Sequence, residues 1–218
     1  MSGHDTPAAA AEPVPHPLAR RLLERLPERS RGRVLLLGIG SGRNVPALLA
    51  AELSVEAIED DADLARAAER RYAHEPRVRV RHAFFTEPFA QSDSPFAAAL
   101  STHALLHGTQ AHIAAAIASI RVRLADGAPF YATLGSTTDP RYGTGRHVEA
   151  NTFAPIDGSE AGVPHTYFDE PGARALFADF AIEELAEESA ARSVGRWAHS
   201  EAEASTIVHW VVRATRTQ

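Results

Sequence analysis

Residues 33–49 read RVLLLGIGSGRNVPALL and place a short apolar run directly before glycines at positions 38, 40 and 42. The apolar run predicts a buried strand, and the spacing after the glycines predicts a helix. Glycine lets the chain turn without a Cβ clash and lets a ligand approach the backbone, while a helix N-terminus offers unpaired amides. The stretch therefore predicts a ligand-binding turn at Gly38, Gly40 and Gly42.

An acidic residue strengthens this interpretation. Glu59 closes the next strand-like run, SVEAIE (54–59), at a position where a carboxylate can accept hydrogen bonds from the hydroxyls of a ribose. Asp60 and Asp61 follow it, and either is an alternative N-cap for the next helix. The combination favours a ligand that contains a ribose over a tight turn beside an unrelated surface acid.

Composition limits the possible functions. The 218 residues suit one domain, and a net charge of −6 with a pI of about 6.0 argues against a general nucleic-acid binder. No cysteine is present, which excludes disulfides and thiolate metal sites and suits a cytoplasmic setting. No apolar stretch is long enough to span a membrane. We expect a cytoplasmic protein, a monomer or homodimer, that binds neither nucleic acid nor membranes.

Strand and helix signals alternate from about residue 17 to residue 136. Apolar strands in this β-α order predict an α/β fold with a mostly parallel sheet covered on both faces. Residues 1–16 lack periodicity and predict a flexible tail before a single domain, 17–218. Two strand-like runs near the end, AIEELAEES and STIVHWVVRATR, are predicted to pair antiparallel at the sheet edge.

Residues 136–165 are rich in glycine, proline and polar residues, and they predict a long irregular insertion. The connection after the fifth strand leaves the sheet at its ligand-binding edge, so we expect a substrate lid. Tyr142, His165 and Tyr167 are the substrate-binding candidates, because aromatic and imidazole groups can line an apolar pocket and direct one polar atom. An ordered surface loop is the alternative.

Two histidines are candidate catalytic bases. His103 and His107 lie four positions apart in STHALLHGTQAH, and a neutral imidazole is suited to proton removal near pH 7. A structural role for either one is the alternative. The His-x-x-x-His spacing also occurs in zinc sites, but no third ligand is evident nearby, so we predict no metal.

The glycine spacing is similar to that of a known enzyme family. VLLLGIGSGRN resembles the first motif of class I S-adenosylmethionine-dependent methyltransferases, VEAIEDD their ribose-binding second strand, and FAAALSTHALLHG their fourth strand. The insertion and GVPHTYFDE most resemble the small-molecule branch around tellurite-resistance methyltransferases. The resemblance implies a three-layer, Rossmann-like, seven-stranded sheet of order 3-2-1-4-5-7-6 with strand 7 antiparallel.

The resemblance also implies roles for individual residues. Gly38, Ile39 and Gly40, within a motif that continues through Gly42 and Asn44, would approach the amino-acid portion of S-adenosylmethionine. Glu59 would bind the ribose. The residues implied for the rest of the cofactor are Asp60 near the adenosine, Ala83 and Phe84 at the adenine, and Ser101 with His103 beside the sulfonium.

Three positions depart from the family pattern. Leu36 and Ala97 stand where acids are usual, and neither His82 nor Ala83 supplies the aspartate that often binds the adenine amino group. The departures imply that the cofactor is held differently or that catalysis has been lost. We predict an S-adenosylmethionine-dependent methyltransferase that acts on a small molecule and releases S-adenosylhomocysteine.

Two alternatives remain. The first is a non-catalytic binding or regulatory protein on a methyltransferase scaffold. The second is a nicotinamide-dependent oxidoreductase, against which Arg43 argues because it occupies the third-glycine position of G-x-G-x-x-G.

Overall fold

The N-terminal part of the chain folds against the domain from residue 14 onwards. The computed structural model describes residues 14–27, 32–85, 94–158, 160–189 and 206–218. Of the predicted tail, residues 1–13 lie outside the described residues, whereas His16 is buried and caps helix α1 (Pro17–Arg25) by accepting a hydrogen bond from the Leu18 amide. Within these ranges, no helix is long and apolar enough to cross a bilayer.

The first part of the chain forms a parallel sheet. Its elements are β1 (Arg33–Leu37), α2 (Val45–Ala50), β2 (Ser54–Glu59), α3 (Ala62–Arg71), β3 (Val78–His82), β4 (Ala98–Ser101), α4 (Gln110–Arg121) and β5 (Pro129–Ser136). The strands pair in the order β3-β2-β1-β4-β5. The predicted α/β sheet is confirmed, and it brings the carboxyl ends of β1, β2 and β4 to one edge.

The last two strands complete the predicted topology. The remaining elements are β6 (Arg146–Glu149), β7 (Thr152–Ala154), β8 (His165–Phe168), α5 (Glu170–Leu176), β9 (Phe180–Ser189) and β10 (Val208–Arg216). β10 lies between β5 and β9 and is antiparallel to both. With β9 and β10 as the sixth and seventh strands, the order 3-2-1-4-5-7-6 with strand 7 antiparallel is confirmed.

The segment 136–165 differs from the irregular insertion that was predicted. β6 and β7 form a hairpin, and β8 pairs with β7 and runs parallel to the end of β5. A Cβ on Gly135 would lie 2.5 Å from the Thr166 carbonyl oxygen, so glycine permits this close pairing. These strands have three or four residues each, which is too short for an alternating pattern to be recognised in the sequence.

Two apolar layers enclose the sheet. Val34 and Leu36 of β1 face one side and pack with α1, α2 and α3, whereas Leu35 and Leu37 face the other side and pack with α4 and α5. Burial on both faces explains why β1 reads as a continuous apolar run rather than an alternating one. The strand ends are thereby held in fixed positions at the edge where the candidate site lies.

Candidate functional site

A cavity of about 380 Å³ lies at the carboxyl ends of β1, β2 and β4. It extends from the glycine turn after β1 to the segment that follows β5, which contributes Arg141 and Glu160. The sequence-predicted residues that line it are Gly38, Ile39, Gly40, Asn44, Glu59, Asp60, His103 and His107. The structure thus brings the glycine turn, the ribose candidate and both candidate bases to one cavity.

The three glycines of the turn are required for different reasons. All three have positive φ, at 71°, 47° and 76° for Gly38, Gly40 and Gly42. A Cβ on Gly38 would lie 2.6 Å from the Ala104 Cβ, and one on Gly42 would lie 2.5 Å from the Tyr72 hydroxyl. A Cβ on Gly40 would meet nothing within 4 Å among the described atoms, because it would point into the cavity. Packing therefore accounts for Gly38 and Gly42, and Gly40 leaves room for a ligand.

This difference predicts unequal effects of two matched substitutions. We expect Gly38→Ala to lower the free energy of unfolding by about 2 kcal/mol, because it combines left-handed backbone strain with a clash. We expect Gly40→Ala to cost about 1 kcal/mol, because only the strain applies. Urea denaturation of both variants and the wild type measures the difference. Equal losses would contradict the assignment of Gly38 to packing and Gly40 to the ligand cavity.

Glu59 is a buried carboxylate at the end of β2, with 4% of its surface exposed. Its Oε2 accepts a hydrogen bond from the Gly40 amide at 2.9 Å, and its Oε1 accepts one from the Asp61 amide at 3.3 Å. Burial raises the pKa of Glu59, and these two hydrogen bonds act in the opposite direction. A carboxylate has more lone pairs than these two bonds use, so Glu59 can also accept from ligand hydroxyls in the cavity.

Neither of the two residues implied for the adenine, Ala83 and Phe84, lines the cavity. Phe85, rather than Ala83 or Phe84, lines the cavity together with Leu64 and Asp60. Phe84 is 63% exposed and faces a second cavity of about 560 Å³ beside α4. Phe85 lies three residues beyond the end of β3 at His82, so strand alternation does not determine the direction of its side chain.

Ser101 and Gly42 do not line the cavity, although they were among the predicted cofactor residues. Ser101 is fully buried in β4, and Thr102 lines the cavity in its place. Thr102 accepts a hydrogen bond from the Asn44 side chain at 3.1 Å, and Asn44 Oδ1 accepts one from the His16 amide at 2.9 Å. Asn44 therefore connects the start of the described chain to the end of β4.

Three histidines form a cluster on one side of the cavity. His16 Nε2 lies 3.2 Å from His103 Nε2, and the rings of His103 and His209 are 4.9 Å apart. His16 Nδ1 accepts the Leu18 amide proton, so in a neutral ring the proton is on Nε2, which donates to His103. His103 has a positive φ of 58°, and its amide donates to Thr133 Oγ1 at 2.7 Å.

Ring nitrogens of these three histidines lie within 4.8 Å of one another, close enough to consider a shared metal ion. Coordination needs an unprotonated nitrogen. The only nitrogen of His16 that could face such an ion carries the proton, because the other accepts from the helix amide. The cluster fits a chain of neutral imidazoles better than a metal site.

Burial keeps the same histidines uncharged. Burial, with smaller contributions from Arg43 and His209, lowers the pKa of His16 to about 3. Burial lowers the pKa of His209 to about 4, and burial with the neighbouring His209 and His16 holds the pKa of His103 well below its usual range. His103 is therefore a weak base, and its position at the cavity suits a neutral hydrogen-bonding group better than a proton acceptor.

His107, Glu160 and His165 form a second cluster. His107 Nε2 lies 3.6 Å from Glu160 Oε1, and His165 Nε2 lies 3.1 Å from Glu160 Oε2. His107 and His165 are held opposite one another by an antiparallel bridge, with ring centroids 4.8 Å apart. The two imidazoles lower the pKa of Glu160, so this group is a carboxylate at neutral pH.

Of the three substrate candidates, none lines the cavity directly. The rings of Tyr142, Phe153 and Tyr167 contact one another, and the Tyr142 hydroxyl donates to Asn151 Oδ1. His165 stands behind His107 and Glu160. The predicted segment reaches the cavity instead through Glu160 and Arg141.

Several site residues were missed by sequence reasoning. Arg141 lines the cavity and makes two hydrogen bonds, of 2.9 and 3.0 Å, to the buried Asp139 carboxylate. Asp139 Oδ2 also accepts the Val208 amide, which ties the segment to β10. The DPR sequence at 139–141 carries no recognised signal for this arrangement, and neither Glu160 nor His16 stands in a pattern that marks a site.

No protein-family model matches the sequence, and the search of curated proteins returns no match. Solved structures do match. An S-adenosylmethionine-dependent methyltransferase from Methanosarcina mazei is 18% identical with a TM-score of 0.70, and the match covers 94% of this chain and 99% of that one.

Two further structures show the same fold. The first is the 1,6-didemethyltoxoflavin-N1-methyltransferase of Burkholderia thailandensis with bound 1,6-didemethyltoxoflavin and S-adenosylhomocysteine. It is 18% identical with a TM-score of 0.62, and the match covers 93% of this chain and 80% of that one. The second is TehB from Haemophilus influenzae, at 14% identity, 99% and 64% coverage, and a TM-score of 0.64. The chain thus has the class I methyltransferase fold.

Proposed function

We propose that the protein binds S-adenosylmethionine in the described cavity and transfers its methyl group to a small molecule. The observation that carries this proposal is the contact between Gly40 and Glu59 at the carboxyl ends of β1 and β2. In an open α/β sheet, ligands bind in the crevice outside the carboxyl ends of the strands. A glycine open to the cavity beside a buried carboxylate fits a nucleoside with free ribose hydroxyls.

The residues around this contact suit the parts of the cofactor. The Glu59 carboxylate would accept from the ribose hydroxyls, and the backbone of Gly38–Gly40 would contact the amino-acid portion. Phe85 and Leu64 provide apolar surface for the adenine next to Asp60. Bound S-adenosylmethionine supplies an electrophilic methyl group, whose S–C bond breaks to leave S-adenosylhomocysteine while the acceptor's proton passes to a base or to solvent.

We place the acceptor at the other end of the cavity. His103, His107, Arg141 and Glu160 bring polar groups there, and Leu106 and Ile207 add apolar surface. His103 is neutral and is suited to orienting the acceptor by a hydrogen bond. His107, beside the Glu160 carboxylate, marks the point where the nucleophile would lie. Behind this surface, the three substrate candidates Tyr142, His165 and Tyr167 would support the residues that contact the acceptor. Segment 136–165 remains the proposed substrate lid.

The two alternative functions are less well supported. A nicotinamide dinucleotide fold needs its third glycine for close helix packing, but Arg43 occupies that position and its side chain lines the cavity. A non-catalytic scaffold is consistent with the missing acids, and it would bind S-adenosylmethionine without turnover or would not bind it.

Calorimetric titration tests the proposal. We expect S-adenosylmethionine and S-adenosylhomocysteine to bind with dissociation constants in the micromolar range, equivalent to about 8 kcal/mol. NADH is the control ligand, and we expect no saturable binding of it. Binding of NADH alone would favour the oxidoreductase, and binding of none of the three would contradict the methyltransferase proposal.

A further inference from the structure

We propose that His107, Glu160 and His165 bind a first-row divalent cation of the Zn²⁺ type at the acceptor end of the cavity. The role of the cation rests on the proposed function, whereas the binding of the cation does not. It revises the sequence prediction of no metal, which depended on the lack of a third ligand close to His103 and His107. The fold supplies the missing ligands from the segment after β5.

The positions of the donor atoms fit such an ion. One nitrogen of each histidine and one carboxylate oxygen lie within 4.8 Å of one another. The two contacts to Glu160 measure 3.6 and 3.1 Å. Zinc binds imidazole and carboxylate at about 2.0–2.2 Å, so neighbouring ligand atoms in a tetrahedral site are separated by about 3.4 Å. Only small side-chain movements are therefore needed.

The hydrogen-bond geometry of His165 provides a second argument. Its Nδ1 lies 2.8 Å from the Val163 carbonyl oxygen, which can only accept, so Nδ1 carries a proton. In a neutral ring, Nε2 then has a lone pair, yet it faces the Glu160 carboxylate at 3.1 Å. A metal ion placed between these two atoms would bind both of them.

The surroundings of His165 are those of a metal ligand. Metal-binding histidines usually donate their other ring N–H to a carbonyl or carboxylate, and the Val163 carbonyl has this position here. His165 is only 2% exposed, and the pairing of its backbone with residue 107 fixes its ring. Such a preformed orientation lowers the cost of assembling the site.

The cluster is closed on one side and open on the other. His165 is buried, whereas His107 and Glu160 both line the cavity. Three protein ligands with an open position are typical of zinc sites that bind a substrate or water, as opposed to structural sites with four. The open position faces the place proposed for the acceptor. The cation would therefore select acceptors with a hydroxyl, enol or carboxyl oxygen and would favour the ionised form of that oxygen.

Metal titration of the full chain tests the inference. After dialysis against a chelator, the protein is titrated with ZnCl₂ by calorimetry, and Co²⁺ is used as a probe whose visible spectrum reports tetrahedral coordination. We expect one Zn²⁺ per chain. We expect Glu160→Gln, His165→Gln and His107→Gln each to weaken binding more than about tenfold. His107 is partly exposed, so we expect its substitution to disturb folding least. Thermal denaturation without metal checks that all three variants are folded.

Two histidine variants serve as matched controls. His74→Asn removes an exposed histidine, and His16→Asn alters the other histidine cluster while it retains an N-cap side chain. Both are expected to bind Zn²⁺ as the wild type does. Absence of saturable binding, binding unchanged by all three ligand substitutions, or a loss caused by His16→Asn would each overturn the inference.

The two proposals fail in distinguishable ways. Titration of the metal-free protein with S-adenosylmethionine tests the cofactor site alone, and titration with Zn²⁺ without the cofactor tests the cation site alone. Cofactor binding without Zn²⁺ binding would overturn only the inference. Zn²⁺ binding without cofactor binding would leave the cation site in place and contradict the proposed function.

Discussion

The protein is expected to lose up to about 4 kcal/mol of unfolding free energy for each pH unit between about pH 6 and pH 4.5, because three histidines are held neutral in the fold. These are His16, whose pKa is lowered to about 3, His209, whose pKa is lowered to about 4, and His103, whose pKa is well below its usual range. Each contributes about 1.4 kcal/mol per pH unit in the window between its two pKa values.

The sign follows from proton uptake on unfolding. Burial is the first cause of all three shifts, and nearby Arg43 adds to it at His16 and His103, while Glu188 and Asp139 partly oppose it at His209. In the unfolded chain these histidines titrate near pH 6.5. Below that pH the unfolded state binds more protons than the folded state, so stability falls as the pH falls towards 4.

Urea denaturation at intervals between pH 7.5 and 4.5 measures this slope. His16→Asn retains a capping side chain but cannot titrate, and it is expected to reduce the slope by about one third. The exposed His74→Asn is the control and is expected to leave the slope unchanged. A wild-type slope that His16→Asn does not alter would show that His16 is protonated in the folded protein, contrary to its buried position.

Glu59→Ala is expected to weaken S-adenosylmethionine binding about 100-fold, which corresponds to about 3 kcal/mol. The buried carboxylate is the acceptor proposed for the ribose hydroxyls, and hydrogen bonds to charged groups contribute about 1.5–3 kcal/mol each. Its removal also frees the Gly40 amide from its partner in the turn. Calorimetric titration with the cofactor measures the loss.

Two further variants separate the loss of the ribose acceptor from the general effect of removing a carboxylate. Glu69→Ala removes an exposed carboxylate on α3 and is expected to leave the affinity unchanged. Glu59→Gln retains one acceptor oxygen and is expected to show an intermediate loss. An unchanged affinity in Glu59→Ala, with the variant still folded by circular dichroism, would mean that the ribose is bound elsewhere.

The sheet and its topology could be predicted because their signals are local or belong to a repeated pattern. The apolar run before Gly38 and the acid at the end of the second strand can both be recognised without knowledge of distant contacts. The antiparallel pairing of β9 and β10 was also predictable, since both strands are long. The resemblance supplied the order of the strands, which periodicity alone does not determine.

The part of the cavity proposed for the acceptor was predicted less completely, for a physical reason. Glu160 and Arg141 line the cavity, and His16 contacts the cavity residue His103, only because the chain brings distant positions together there, and no spacing in the sequence records this. The position of Phe85 was missed because it lies beyond the end of β3, where the alternation of a strand no longer predicts which way a side chain points. His107 and His165 were each recognised, but their pairing needed the bridge between their backbones.

The cavity is assembled from several separate parts of the chain, among them residues 102–107 and Ile207, and the roles proposed for two of these parts have an evolutionary consequence. The glycine turn, Glu59 and Phe85 come from the first 85 residues, whereas Arg141 and Glu160 come from the segment that β8 attaches to the end of β5. If the acceptor binds where we propose, substitutions of Arg141 or Glu160 are expected to change its recognition without disturbing the glycine turn or Glu59. Under the proposed function, a lineage could therefore diversify its acceptors through the segment after β5 while it keeps the glycine turn and Glu59.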